Sequence, residues 1–192
     1  LNLNSANLSG SIPSEIGNLT RLTSFNLSKN KLTGVIPSDI QNLTNLTELI
    51  LNENQLSGVI PTNIGNLTQL KSLGLSDNQL MGSIPESLGN CTDLVYLYLY
   101  NNQLSGSIPA SIGNLSLLTE LNLSNNQLTS LPNEIGRLKA IKELEINNNL
   151  LTAIPDSIGH LLQLNLLKAN HNNIRIVPAN IGFLLELQDV NL

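Results

Sequence analysis

Few side chains in this protein have chemistry to offer, and three of them stand two residues apart: Tyr96, Tyr98 and Tyr100. They are all the tyrosines the chain has, and it carries two Phe and no Trp. Alternate residues of an extended strand project to one side. The spacing therefore predicts three phenol rings on one face, with Leu97 and Leu99 on the other. A phenol supplies large contact area at low entropic cost, and its hydroxyl can bond a partner. This is the chemistry of contact, not of bond making. Tyrosine is also a good strand former, so three rings with no ligand is the alternative reading.

Catalytic motifs are missing from the sequence. It holds no G-x-S-x-G, no P-loop and no G-x-G-x-x-G. His160 and His171 have no set of Cys or carboxylate residues at metal-ligand spacing. Both read as solvated surface residues. Cys91 is the single cysteine, which excludes an internal disulfide and any C-x-x-C site. It takes a place where other segments carry a core Leu, so a buried, inert thiol is expected. No catalytic residue, metal or cofactor is expected within these residues.

The elements that position these side chains follow from a repeat. The phrase L-x-x-L-x-L-x-x-N-x-L, with some conservative replacements, begins at Leu22, Leu46, Leu70 and Leu94, 24 residues apart. It returns at Leu118, Ile141 and Leu164, 23 residues apart. Partial copies flank these seven. A period of this size means a solenoid in which each coil contacts only its neighbours. The x-L-x-L-x stretch of each copy is expected to be a strand. Strands stacked in parallel then present one face to the core and one to water. Nine such strands would span about 38 Å.

The ninth position is Asn in every full copy: Asn30, Asn54, Asn78, Asn102, Asn126, Asn149 and Asn172. A small amide at the point where the chain leaves the strand can bond backbone groups that no sheet partner reaches. These residues are expected to form a structural ladder and no ligand site.

Along the outward positions, the tyrosine strand follows one that offers only Ser72, Gly74 and Ser76. A tall aromatic wall is thus expected beside a low floor, closed on its far side by Glu48, Ile50 and Asn52. At a strand spacing of ~4.8 Å the trough would be roughly 10 Å wide, enough for an extended peptide. On the other side of the wall stand Glu120, Glu143 and Glu145, which would favour a basic partner or be a solvated face. The balance of 9 basic and 14 acidic residues, with no basic run, argues against nucleic acid or an anionic membrane as a partner of this surface.

These motifs resemble the leucine-rich repeat family over the whole chain. The resemblance implies an α/β solenoid, an arc with a parallel sheet on the concave face and turns and short helical segments on the convex face. Two subtypes occur. Residues 1–117 carry L-x-G-x-I-P phrases such as Gly34-Val35-Ile36-Pro37 and Gly106-Ser107-Ile108-Pro109, which look like the plant-type repeat of receptor-like kinase and receptor-like protein ectodomains. Residues 118–192 lose one residue and the Gly, as in Thr152-Ala153-Ile154-Pro155, and look like repeats of Ras-associated and microbial proteins. Residues 1–192 read as one array. The chain opens and stops inside a repeat without a polar cap, so it reads as an excerpt of a longer array.

The resemblance implies a non-catalytic module that grips a protein or peptide on the concave face. A cell-surface, extracellular setting within a receptor-like signalling protein is expected; an intracellular scaffold binding a signalling protein such as a small GTPase is the alternative. The phrase N-x-S/T at Asn7, Asn18, Asn26, Asn42, Asn45, Asn66, Asn90, Asn114 and Asn122 fits glycan acceptors of a secreted chain. The same phrase is also part of the repeat consensus.

Overall fold

The computed structural model describes residues 1–192. Each coil begins with a three-residue strand, and the strands pair in parallel in chain order. They are Ser24–Asn26, Glu48–Ile50, Ser72–Gly74, Tyr96–Tyr98, Glu120–Asn122, Glu143–Glu145, Leu166–Lys168 and Asp189–Asn191. Asn2 adds a single bridge to Asn26 at the open edge. In most of these strands the middle residue is buried while its neighbours are at least partly accessible, as the alternation of strand side chains requires; in Ser72–Gly74 the glycine is buried too. This sheet is the concave face of the arc.

The chain must leave each strand sharply, and it does so through a left-handed residue. Lys29, Glu53, Asp77, Asn101, Asn125, Asn148 and His171 all have φ between 52° and 55°. Asn and Asp tolerate this region, whereas Lys and Glu bear a steric cost there. The Asn of the ladder follows. Asn102 is representative: its Oδ1 accepts from the Leu80 N–H at 2.9 Å, and its Nδ2 donates to the carbonyls of Leu75, Leu99 and Tyr100. One amide thus ties its own coil to the preceding one. Asn54, Asn78, Asn126 and Asn149 repeat the pattern.

A second parallel sheet, which the sequence reading did not anticipate, lies beyond the ladder. Its strands are Ser9–Ser11, Lys31–Val35, Gln55–Val59, Gln79–Gly82, Gln103–Ser107 and Gln127–Ser130. It is built from the L-x-G-x-I phrase. Gly10, Gly34, Gly58, Gly82 and Gly106 sit at φ from 75° to 87°, a conformation that side chains resist. The sheet ends within the first of the shorter repeats, at Gln127–Ser130. The register slips between Leu128 and Ser130, and only single bonds such as Leu150 N–H to Leu128 O continue the stack.

The convex side is made of short 3-10 turns, among them Ser38–Asn42, Glu86–Asn90 and Ala110–Asn114. A proline precedes most of them, with φ near −70° already set by its ring. Between the two sheets and these turns runs one continuous core of Leu and Ile, joined by Phe25, Ala169 and Cys91. No helix is long and apolar enough to cross a membrane.

Candidate functional site

Strand register sets the outward side chains in rows. One row runs Glu48, Ser72, Tyr96, Glu120, Glu143 and Leu166; the next runs Ile50, Gly74, Tyr98, Asn122, Glu145 and Lys168. Leu97 and Leu99 are fully buried, Tyr96 is exposed, and Tyr98 and Tyr100 are half-buried. The rings of Tyr96 and Tyr98 stack along the strand, with centroids 6.3 Å apart and planes 18° from parallel. The Tyr98 hydroxyl does not point freely into water. It donates to Glu120 Oε2 on the next strand. Burial, then this hydrogen bond and the nearby carboxylates, hold the phenol proton above the usual tyrosine range.

The trough beside the rings differs from the expected bare floor. Gly74 and Ser76 are buried. The amide of Asn52 bends across from the preceding strand and lies over Gly74. A Cβ on Gly74 would stand only 2.7 Å from Asn52 Oδ1. The same Oδ1 accepts from the Ser76 N–H at 3.0 Å. Gly74 is therefore not an open surface but the space that lets Asn52 cross. Asn122, which stands two places earlier in its coil, in register with Gly74 and Tyr98, instead bonds the N–H and hydroxyl of Ser124 on its own strand. Asn52 thus covers the floor that its sequence position made it only border. What stays accessible beside Tyr96 is Ser72, half-buried, and beyond it Glu48, which is exposed and accepts from the Ser24 hydroxyl at 2.9 Å. Ile50 is half-buried beside them.

On the far side of the wall, Glu120 and Glu143 are half-buried register partners. Glu145 is paired with Lys168 at 3.2 Å, a contact that strand-by-strand reading does not reveal because the two residues lie 23 apart. His160 and His171 are both exposed. Cys91 is buried, its sulfur 3.6 Å from the Ile64 carbonyl. No group of three His, Cys, Asp or Glu side chains gathers anywhere in the chain.

A rigid stack of coils with one solvated ribbon of side chains defines a class: repeat scaffolds that present a surface. The sequence comparisons name the family. The family description "Leucine rich repeat" matches residues 20–80, 44–104 and 68–128, and "Leucine-rich repeat region" matches residues 103–192. The chain belongs to the leucine-rich repeat family. No curated protein matches it.

Among solved structures, the plant peptide hormone receptor RGFR1 in complex with RGF2 is 38% identical, with a TM-score of 0.93 over 96% of this chain and 30% of that one. The Arabidopsis receptor kinase HAESA, in complex with the peptide hormone IDA and the co-receptor SERK1, is 36% identical, with a TM-score of 0.88 over 96% of this chain and 31% of that one. A plant ice-binding protein is 33% identical, with a TM-score of 0.82 over 95% of this chain and 59% of that one. The chain therefore spans about a third of the length of the two receptors.

Proposed function

We propose that the chain is a non-catalytic recognition module of a receptor-like protein, and that it binds an extended protein or peptide segment across its concave sheet. The observation that carries this reading is the gathering of every tyrosine in the chain on one strand, outward, over a buried leucine layer. Large amphipathic rings on a rigid support lose little entropy on contact. Two similar structures bear peptide hormones, which supports a peptide as the occupant. An extracellular setting is part of the proposal. Asn18, Asn42, Asn66, Asn90 and Asn114 each close a convex turn with the side chain exposed, where glycans would leave the concave face clear.

The test uses a displayed library of random twelve-residue peptides, selected on the folded chain. Substituting Tyr96, Tyr98 and Tyr100 together by Ala should weaken the selected binders more than tenfold, with the circular dichroism spectrum unchanged. Equal affinity for both proteins would remove this site.

A second reading draws on the ice-binding neighbour. Ice is a lattice, so a surface that meets it gains from even spacing. The second sheet offers such a row, with Gln55, Gln79, Gln103 and Gln127 all exposed. Thermal hysteresis in a freezing assay would support that reading over the first.

A further inference from the structure

Two carboxylates beside the tyrosine wall face each other without a counter-charge. Glu120 and Glu143 are register partners on adjacent parallel strands, which run ~4.8 Å apart. Like charges directly opposite on a sheet repel. Lys168 does not relieve them, because its register partner is Glu145 and it pairs there. The chain has two ion pairs, Lys29–Glu53 and Lys168–Glu145, so no cationic nitrogen stands within 4.0 Å of Glu120 or Glu143.

Carboxylates alone would be a solvated face. Two features set this pair apart. The Tyr98 hydroxyl donates to one oxygen of Glu120, which fixes how that carboxylate is presented. Tyr96 is the register partner of Glu120 on its other side, and its ring is exposed. An aromatic ring, an oriented carboxylate and a second carboxylate therefore stand in one row across three strands.

Building on the peptide-binding reading above, we infer that Tyr96, Glu120 and Glu143 form the seat of one arginine side chain of the bound segment. A guanidinium is planar, so it can lie against a phenol ring while its N–H groups fork toward two carboxylates. A lysine ammonium is a point charge with a strongly held water shell and cannot meet both demands at once. The incoming cation would also remove the repulsion that the empty row carries. Burial is the main cause of the raised proton affinity of Tyr98, and the charges of Glu120 and Glu143 add to it.

The test does not need the natural ligand. Nα-acetyl-arginine amide, and the same compound made with citrulline, are titrated at low salt into protein labelled with 13C at the tyrosine rings. Citrulline keeps the shape and loses the charge. Saturable shifts of the Tyr96 and Tyr98 signals are expected with the arginine compound only. Glu143→Gln should weaken that response at least fivefold without touching the Tyr98–Glu120 bond. Glu15→Gln, the same charge change on the convex side, should leave it as it was. Equal responses to arginine and citrulline, or an unchanged response in Glu143→Gln, would overturn the inference. Tyrosine-dependent library peptides could still be found in that case, and the peptide-binding proposal would stand by itself. A positive titration with no such peptides would mean the reverse.

Discussion

At the scale of single residues, Cys91 shows how a repeat position dictates chemistry. It occupies the place of Leu67 and Leu115 in neighbouring coils and is fully buried. Burial pushes its thiol from 9.0 up to about 11. The folded chain therefore holds this proton more tightly than the unfolded chain does. The stabilisation is fully present below pH 9 and is lost as pH rises from 9 to 11. A gap of this size corresponds to roughly 3 kcal/mol. The Tyr98 shift has the same sign. Urea unfolding should accordingly give a lower stability at pH 10.5 than at pH 8, and Cys91→Leu should flatten most of that slope. A wild-type curve level across the range would contradict the burial argument. The buried fate of Cys91 was legible in the sequence, because its spacing matched that of core leucines. The role of Asn52 was not. The amides at the place of Asn122 bond their own strand, as Asn26 also does, but nothing along the chain tells that an amide two places further on, at Asn52, crosses to the next coil. The side chain of the neighbouring coil decides, and Gly74 leaves the way open.

At the scale of elements, the asparagine ladder supplies partners to backbone groups at the point where each coil leaves its strand. Truncating Asn102 to Ala would strand the Leu80 N–H and take one of two donors from each of the Leu75, Leu99 and Tyr100 carbonyls. A loss of about 2–3 kcal/mol is expected, at the upper end for a buried unsatisfied group. Asn114→Ala on the exposed convex side should cost under ~0.5 kcal/mol. Thermal unfolding of the two variants checks the contrast, and similar midpoints would deny the ladder its structural weight. The ladder could be read from the sequence since it depends on one residue type at one fixed interval. The second sheet could not. Its L-x-G-x-I phrase has the look of a turn, and a glycine in the left-handed region inside a strand is tolerated only because the adjacent coil supplies hydrogen-bond partners.

At the scale of the whole molecule, coils that touch only their neighbours imply stability that varies along the stack. Core side chains from Leu46 to Leu128 are at most 2% exposed, while Leu1 is 43%, Ile176 77% and Leu185 88% exposed. Hydrogen exchange should be slowest at the inter-coil amides of Leu75 and Leu99. It should be fastest at Leu3 and Leu187, whose bonds lie in the terminal coils. Uniform exchange would show that the array unfolds as a single unit.

Periodicity is a property of the chain, so it alone determined the solenoid, the buried leucines, the outward tyrosines and the asparagine ladder. Each depends only on spacing along one coil and on the two-residue alternation of a strand. Contacts between coils depend on which side chains fall opposite one another, 21 to 27 residues apart. Only the tertiary structure could decide these. It set the phenol of Tyr98 on Glu120, gave Lys168 to Glu145, laid Asn52 over Gly74, and left Glu120 and Glu143 facing each other with no cation between them.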